Sequence, residues 1–219
     1  MKKNILFPKM LIRAVIRFFL FLHNFSYQIV GRLSQHLEPD GIHPKHRLMN
    51  YHQWFIDHVE KDWVVLDIGC GNGALAYDLK AGCKYVIAID KNKDNIDIAK
   101  RKYSREGIDY VLADALEYQP KGKINAAVLS NILEHIDSRI DFLKKLSGIC
   151  DVFLIRVPLF DRDWLTLYKK EMGIEWRLDP THHTEYTFIS FKNEMDKAGF
   201  NITEYKIQFG EIYAVTVRK

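Results

Sequence analysis

At 219 residues the chain has room for one large domain with a modest elaboration, and 47% apolar with 27% charged residues is the make-up of a chain that buries a core. A net charge of +4 is too mild to argue for a nucleic-acid partner, and three cysteines, odd in number, exclude a disulfide framework. Cys70, Cys83 and Cys150 fall in or beside predicted strands, as buried thiols in a reducing compartment do.

The charge is unevenly spread. Lys2, Lys3, Lys9, Arg13, Arg17 and Arg32 precede Ser34 with no acid among them, and taking these six from +4 leaves −2 on the remainder. Met10 to Val30 is strongly apolar, but Arg13 and Arg17 interrupt it, and its clean run Phe18 to Leu22 is far short of the ~20 residues of a membrane span. No small-residue cleavage site follows, which argues against a signal peptide. Arg13, Arg17, Asn24 and Gln28 fall at helical spacing as a narrow polar stripe. Two readings stay open: an interfacial helix on an anionic membrane, or a helix packed on the domain or on a second subunit.

Leu37 to Arg47 is an irregular connector punctuated by Pro39, Gly41 and Pro44, with His43, His46 and Arg47 on it. Leu48 to Val59 reads as a helix burying Leu48, Tyr51, Phe55 and Val59. From Trp63 strands and helices alternate, which predicts a parallel sheet with helices on both faces. The expected strands are Trp63 to Ile68, Tyr85 to Ile89, Tyr110 to Leu112, Ala126 to Leu129 and Val152 to Val157. Helices are expected over Ala74 to Lys80, Asn92 to Ser104 and, capped by Asp137 or Ser138, up to Ser147. Pro158 to Tyr186 is a long aromatic and charged connection, helical over part of Asp161 to Met172. Thr187 caps a last helix stopped by Gly199, and two antiparallel strands meet at Gly210.

Chemistry concentrates in Val64 to Ala76, VVLDIGCGNGALA. Gly69, Gly71 and Gly73 let the backbone turn sharply and a ligand approach, and the following helix offers unpaired N–H groups. Asp90 ends the second strand, where an acid can bond ribose hydroxyls. The spacing is G-x-G-x-G, not the dinucleotide G-x-G-x-x-G, and Asp67 just before it repels a pyrophosphate but can pair with an amino group.

LDIGCGNG, the acid of VIAID, the Asp-Ala of LADAL and LSNILEHI after the fourth strand together resemble the successive motifs of class I S-adenosylmethionine-dependent methyltransferases, over about Asp62 to Arg218. The resemblance implies a Rossmann-like α/β fold: a seven-stranded, mostly parallel sheet with an antiparallel last strand and helices on both faces. It implies a methyltransferase domain over residues 61–219 behind an N-terminal helical extension, residues 1–60. It implies S-adenosylmethionine as cofactor, with Asp67 and the backbone of Gly69, Cys70, Gly71 and Gly73 on the methionine portion, Asp90 on the ribose, Asp114 and Ala115 on the adenine, and Lys91 and Asn131 alongside.

Leu129 to Ile136 lacks the Asn-Pro-Pro-aromatic stretch of amino-group methyltransferases, which favours an oxygen or carbon acceptor. Glu134 and His135 resemble the Glu-His pair of the quinone-biosynthesis branch, but Asn131 stands where metal-binding members of that branch carry a further glutamate, so no metal is expected. His135, and above it His182 and His183 in Asp179 to Tyr186, are the candidate catalytic bases, with Glu185 to orient one of them. Trp164, Tyr168 and Trp176 are candidates to line a sugar or ring pocket. The segments GIHPKHR and WRLDPTHHTEYT resemble methyltransferases of bacterial surface-glycan synthesis. The expected protein is therefore a cytoplasmic enzyme, O-methylating a glycan or lipid-linked acceptor at the inner face of the membrane through contact by residues 10–30, with no nucleic-acid partner. Rival readings are a quinone-type or other small-molecule methyltransferase, a non-catalytic cofactor-binding module and, disfavoured by the glycine spacing, an NAD oxidoreductase.

Overall fold

The computed structural model describes residues 8–39 and 41–219. Lys2 and Lys3 of the sequence reading, and residue 40 within its connector, lie outside them. In chain order the helices are α1 (Lys9–Ser34), α2 (Lys45–Met49), α3 (Tyr51–Asp57), α4 (Ala74–Leu79), α5 (Lys93–Lys102), α6 (Arg139–Leu146), α7 (Trp164–Glu171) and α8 (Phe188–Ala198). The strands are β1 (Val64–Ile68), β2 (Tyr85–Asp90), β3 (Ile108–Leu112), β4 (Ala126–Ser130), β5 (Val152–Pro158), β6 (Phe200–Gln208) and β7 (Glu211–Arg218). The chain separates into two compact units, one of residues 8–49 with 163–180 and one of residues 50–162 with 181–219.

The second unit holds one seven-stranded sheet of order β3-β2-β1-β4-β5-β7-β6. The first five strands pair in parallel, and β7 pairs antiparallel with both β5 and β6. The central strands are apolar at nearly every position because both faces are covered. Leu66, Ile68, Leu129, Phe153 and Ile155, spaced by two along their strands, share one core with Leu143 of α6 and Phe191 and Met195 of α8. Residues of the other parity meet α3, where the Arg156 guanidinium lies 3.7 Å from the Tyr51 ring centre and Trp54 packs on Tyr213. Arg156 is buried on β5 and forms a two-pronged ion pair with Glu211 of β7, at 2.5 and 2.7 Å. All three cysteines are buried free thiols.

Two expectations at the helices change. The single helix over Leu48 to Val59 is broken at Asn50, which takes a left-handed conformation (φ +46°) and separates α2 from α3. Asn tolerates that conformation better than most residues, because its short polar side chain bonds locally. Tyr51 and Phe55 are buried as expected, but Leu48 is exposed. Ser138 stands at the start of α6, yet its side chain accepts no capping bond. At the other end of the chain Thr187 and Ser190 form a reciprocal capping box on α8. Phe209 and Gly210, both at positive φ, make the two-residue turn between β6 and β7.

In the first unit, α1 turns its polar stripe toward α7 and the segment after it. Arg17 donates to the Met172 carbonyl, Asn24 to the Glu175 carbonyl at 2.7 Å, and His23 meets Lys169 at 3.1 Å. The connector folds back on the helix, with Lys45 donating its backbone N–H to His43 and Arg47 pairing with Glu38. Phe18, Phe19, Phe21, Phe25, Val30 and Leu33 of α1 stay more than half exposed. Trp164 is exposed beside Tyr168, and the Lys170 ammonium lies over the Trp176 ring.

Candidate functional site

At the carboxyl end of β1 the chain passes through Gly69 (φ +68°), Gly71 (φ +55°) and Gly73 (φ +88°), all in the region that disfavours side chains. The three differ in what a Cβ would meet. At Gly73 it would stand 2.7 Å from Ala99 and 2.8 Å from Tyr110, and at Gly69 2.3 Å from the tip of Ile132. At Gly71 it would meet nothing within 4 Å. Gly69 and Gly73 therefore serve local packing, whereas Gly71 borders open space. α4 is only six residues long, so the loop N–H groups matter more here than a helix dipole.

Asp90, at the end of β2, ties this loop down. One carboxylate oxygen accepts from Gly71 N–H at 2.9 Å and from the Asn95 amide at 3.2 Å, and the other from Asn92 N–H at 2.8 Å. Asp114, after β3, is exposed and accepts from Leu116 N–H. A cleft of about 410 Å³ runs along these strand ends, lined by Gly69, Asp90, Lys91, Asp114, Ala115, Ile132 and His135 among others. Asp67 lies beneath, 1% exposed, with one buried oxygen that no described residue bonds. Burial, and secondarily the charge of Asp90, pushes its carboxyl up to about 7. Asn131 after β4 has positive φ (+57°) and a buried side-chain oxygen without a partner among the described residues. Burial pushes the Cys70 thiol upward, leaving an inert group whose backbone N–H donates to Ile89.

This geometry suits a small ligand that carries hydroxyls and a cationic group. The orphaned Asp67 oxygen asks for a positive charge, Asp90 stands where adjacent hydroxyls can be bonded, and the space over Gly71 admits close backbone approach.

Beside the cleft, a 3₁₀ turn over Leu133–His135 follows β4. Glu134 is fully buried, and neither of its side-chain oxygens is bonded by a described residue. Burial pushes this carboxyl up to about 7, while its own backbone N–H and His182 pull the other way. The segment after α7 returns over the turn, with the N–H groups of His183 and Thr184 donating to the Glu134 carbonyl at 2.8 and 3.4 Å. This brings in His182, which is buried, with Nδ1 3.0 Å from a Glu185 oxygen. The other Glu185 oxygen accepts from Arg162. His135 is exposed, its Nδ1 3.1 Å from the Thr181 hydroxyl, and its ring meets His182 edge to face. The His183 side chain is exposed and stands outside the Glu134–His135–His182 group.

Sequence reasoning missed the supporting parts of this arrangement. Arg156, inside an otherwise apolar strand, was a signal that a buried acid must face it, but only the β5–β7 register identifies Glu211. Nothing local pointed to Thr181 as the partner of His135 or to Arg162 as the anchor of Glu185.

A family model described as a methyltransferase domain matches residues 21–205. A ribosomal protein L11 methyltransferase from Thermotoga neapolitana is 27% identical over 62% of this chain and 55% of its own length. A ubiquinone biosynthesis O-methyltransferase from Pelagibacter ubique is 36% identical over 40% of this chain and 37% of its own. The chain thus spans about half or less of the curated relatives it matches. Among solved structures, magnesium protoporphyrin IX methyltransferase from Synechocystis, with S-adenosylhomocysteine bound, superposes with a TM-score of 0.64 over 97% of this chain and 100% of its own. At 16% identity that is a likeness of fold.

Proposed function

The chain belongs to the methyltransferase-domain family of the class I S-adenosylmethionine-dependent superfamily, and from that premise we propose that it transfers a methyl group to an oxygen of a glycan or lipid-linked acceptor. Residues 61–219 are the methyltransferase domain in this reading, and residues 1–60 its extension. S-adenosylmethionine supplies a sulfonium-bound methyl group, which needs little beyond alignment and a dry pocket to move. The single observation that carries the cofactor side of the reading is the buried oxygen of Asp67, unpartnered among the described residues, under a cradle left open at Gly71. Asp67 receives the cofactor's amino group, together with the loop backbone from Gly69 through Cys70 and Gly71 to Gly73. Asp90 takes the ribose hydroxyls, Asp114 with Ala115 the adenine edge, and Lys91 and Asn131 flank.

On the acceptor side, His182 and His135 hold the acceptor hydroxyl and receive its proton, with Glu185 fixing the His182 ring and His183 at the rim. This is supported by the 3.0 Å bond from His182 to Glu185 and by His135 lining the cleft. A quinone-type acceptor is the second reading, favoured by the match to a ubiquinone O-methyltransferase. A module that binds cofactor without catalysis is the third.

The exposed aromatic side of α1, with its basic residues and no acid, supports a cytoplasmic protein that rests on the inner face of an anionic membrane. Its polar stripe is engaged within its own unit, so the outward side is the apolar one.

Calorimetry with S-adenosylmethionine, S-adenosylhomocysteine and NAD tests the cofactor. Binding of the first two and not NAD is expected, and NAD alone would overturn the reading. A labelled-methyl screen over glycan, lipid and quinone fractions then identifies the acceptor class.

A further inference from the structure

We propose that the outer edge of β6 joins the same edge of a second copy of this chain, so that two sheets run on as one about a two-fold axis at Tyr205. β6 ends the sheet, and among the described residues no strand pairs with its far side. It is nine residues long, where a strand usually has about five or six. Every residue from Thr203 to Ile207 is exposed. A sheet edge offers a row of unpaired N–H and C=O groups, and proteins blunt such edges by shortening, bulging or covering them. The irregularity in the pairing of β6 with β7 falls between Ile202 and Glu204. From Glu204 to Gln208 the strand is regular.

The order of the charges selects a second copy as the occupant. Two identical edges meet antiparallel about an axis normal to the sheet, and each residue then faces one on its own side of the sheet. The axis therefore passes through a residue and not between two. Centred on Glu204, the pairing sets glutamate against glutamate; centred on Lys206, lysine against lysine. Like charges directly opposite each other are destabilising. Centred on Tyr205, each Glu204 faces Lys206 of the second copy, and symmetry makes this ion pair twice. Glu204 stands on the α3 side of the sheet, where His58 reaches it at 3.0 Å, and Lys206, two residues on, shares that side.

The opposite side of the strand supplies apolar surface. Tyr205 stacks on Phe188 of α8, with ring centres 4.2 Å apart. Ile189 of α8 is 71% exposed, and Ile207, on the same side of β6 as Tyr205, is 48% exposed. An axis normal to the sheet puts the α8 sides of both copies together, so Tyr205 meets its own counterpart and the isoleucines flank the junction. Joining the edges covers this strip and pairs the open backbone groups in one step. β5 and β7 separate β6 from β4, and the cleft follows the ends of β1 to β4, so association leaves it open. It depends on no particular reaction at that cleft.

Sedimentation velocity of the whole chain over a concentration series should show a species of twice 25.7 kDa. Lys206→Glu sets glutamate against Glu204 at both positions and should weaken association at least ~10-fold, as should Glu204→Lys. The two changes in one chain restore opposite charges and should bring the dissociation constant back to within ~3-fold of the parent's, whereas independent local effects would add. Lys206 is exposed, so its variant keeps the test sound if loss of the His58 contact disturbs Glu204→Lys. Tyr205→Cys should give a covalent dimer with a short bismaleimide, because facing Cβ atoms stand ~5 Å apart. Asn201→Cys, roughly 27 Å from its counterpart in this pairing, should not. The three native thiols are buried. A monomer at every concentration, which leaves the edge to a strand of another protein, overturns the proposal. So does a dimer untouched by Lys206→Glu, which is held by some other surface such as the aromatic side of α1, and so does a double variant that fails to recover.

Discussion

Asp67→Asn should move stability and ligand binding in opposite directions. The folded carboxyl holds its proton up to about 7, against an ordinary value of 3.8 that the unfolded chain approaches. Between those values the folded state binds more protons, so stability falls as pH rises through the window and levels off above about 7. The penalty at pH 8 is at most ~4 kcal/mol, from ~1.4 kcal/mol per unit. Asn has nearly the same shape and cannot ionise. At pH 8 the unliganded variant should therefore melt higher than the parent, by about 2–4 °C for each kcal/mol relieved, and at pH 4 the two should nearly coincide. Binding runs the other way. Loss of a charge-assisted bond to an amino group costs ~1.5–3 kcal/mol, or roughly 10–150-fold in affinity for S-adenosylhomocysteine. Thermal denaturation by circular dichroism from pH 4 to 8, with calorimetry at pH 8, reads both. A variant equally destabilised at both pH values, or one that binds the ligand as the parent does, refutes the assignment of Asp67 as a buried acid with one oxygen unpartnered among the described residues and awaiting a cation.

The glycines should separate in the same assays. Gly73→Ala meets Ala99 and Tyr110 at positive φ and should lose at least ~2 kcal/mol in urea unfolding, whereas Gly71→Ala has room and should lose only ~1 kcal/mol while abolishing cofactor binding. Equal stability losses would show that the space over Gly71 is not the ligand's. His182→Ala should keep S-adenosylhomocysteine affinity and lower turnover at least ~10²-fold; unchanged turnover removes it from the acceptor side. Replacing Phe18 and Phe25 of α1 with Glu should release the full-length protein from anionic vesicles in a sedimentation assay, and equal sedimentation would end the membrane reading.

What was legible in the sequence was what local chemistry specifies. β1, β2, β4 and β5 are apolar at almost every position because both faces are covered, and their expected limits fall within a residue or so of the observed ones. The glycine turn was visible because only glycine enters positive φ three times in five residues without strain. The break at Asn50 was not, since Leu48 and Tyr51 keep a helical i, i+3 spacing across the one residue that changes hand. The Glu134 group was half visible: the Glu-His pair, His182 and Glu185 were all singled out in the chain, but the approach of His182 to Glu134 and the Arg162 anchor on Glu185 arise only by tertiary folding. The polar stripe of α1 was read correctly as a pattern, but a pattern does not say whether it turns outward or toward a neighbouring helix.

That stripe has a consequence during synthesis. Arg17 and Asn24 find their partners 155 and 151 residues later in the chain. At ~5–20 residues per second the ribosome takes roughly 8–30 s to make that stretch. Through this interval α1 has neither side satisfied, the basic stripe without its carbonyls and the aromatic side without a folded domain beside it. A nascent chain of this kind carries that aromatic side bare before its fold exists, so whatever covers it, chaperone or bilayer surface, can act before the sheet is complete.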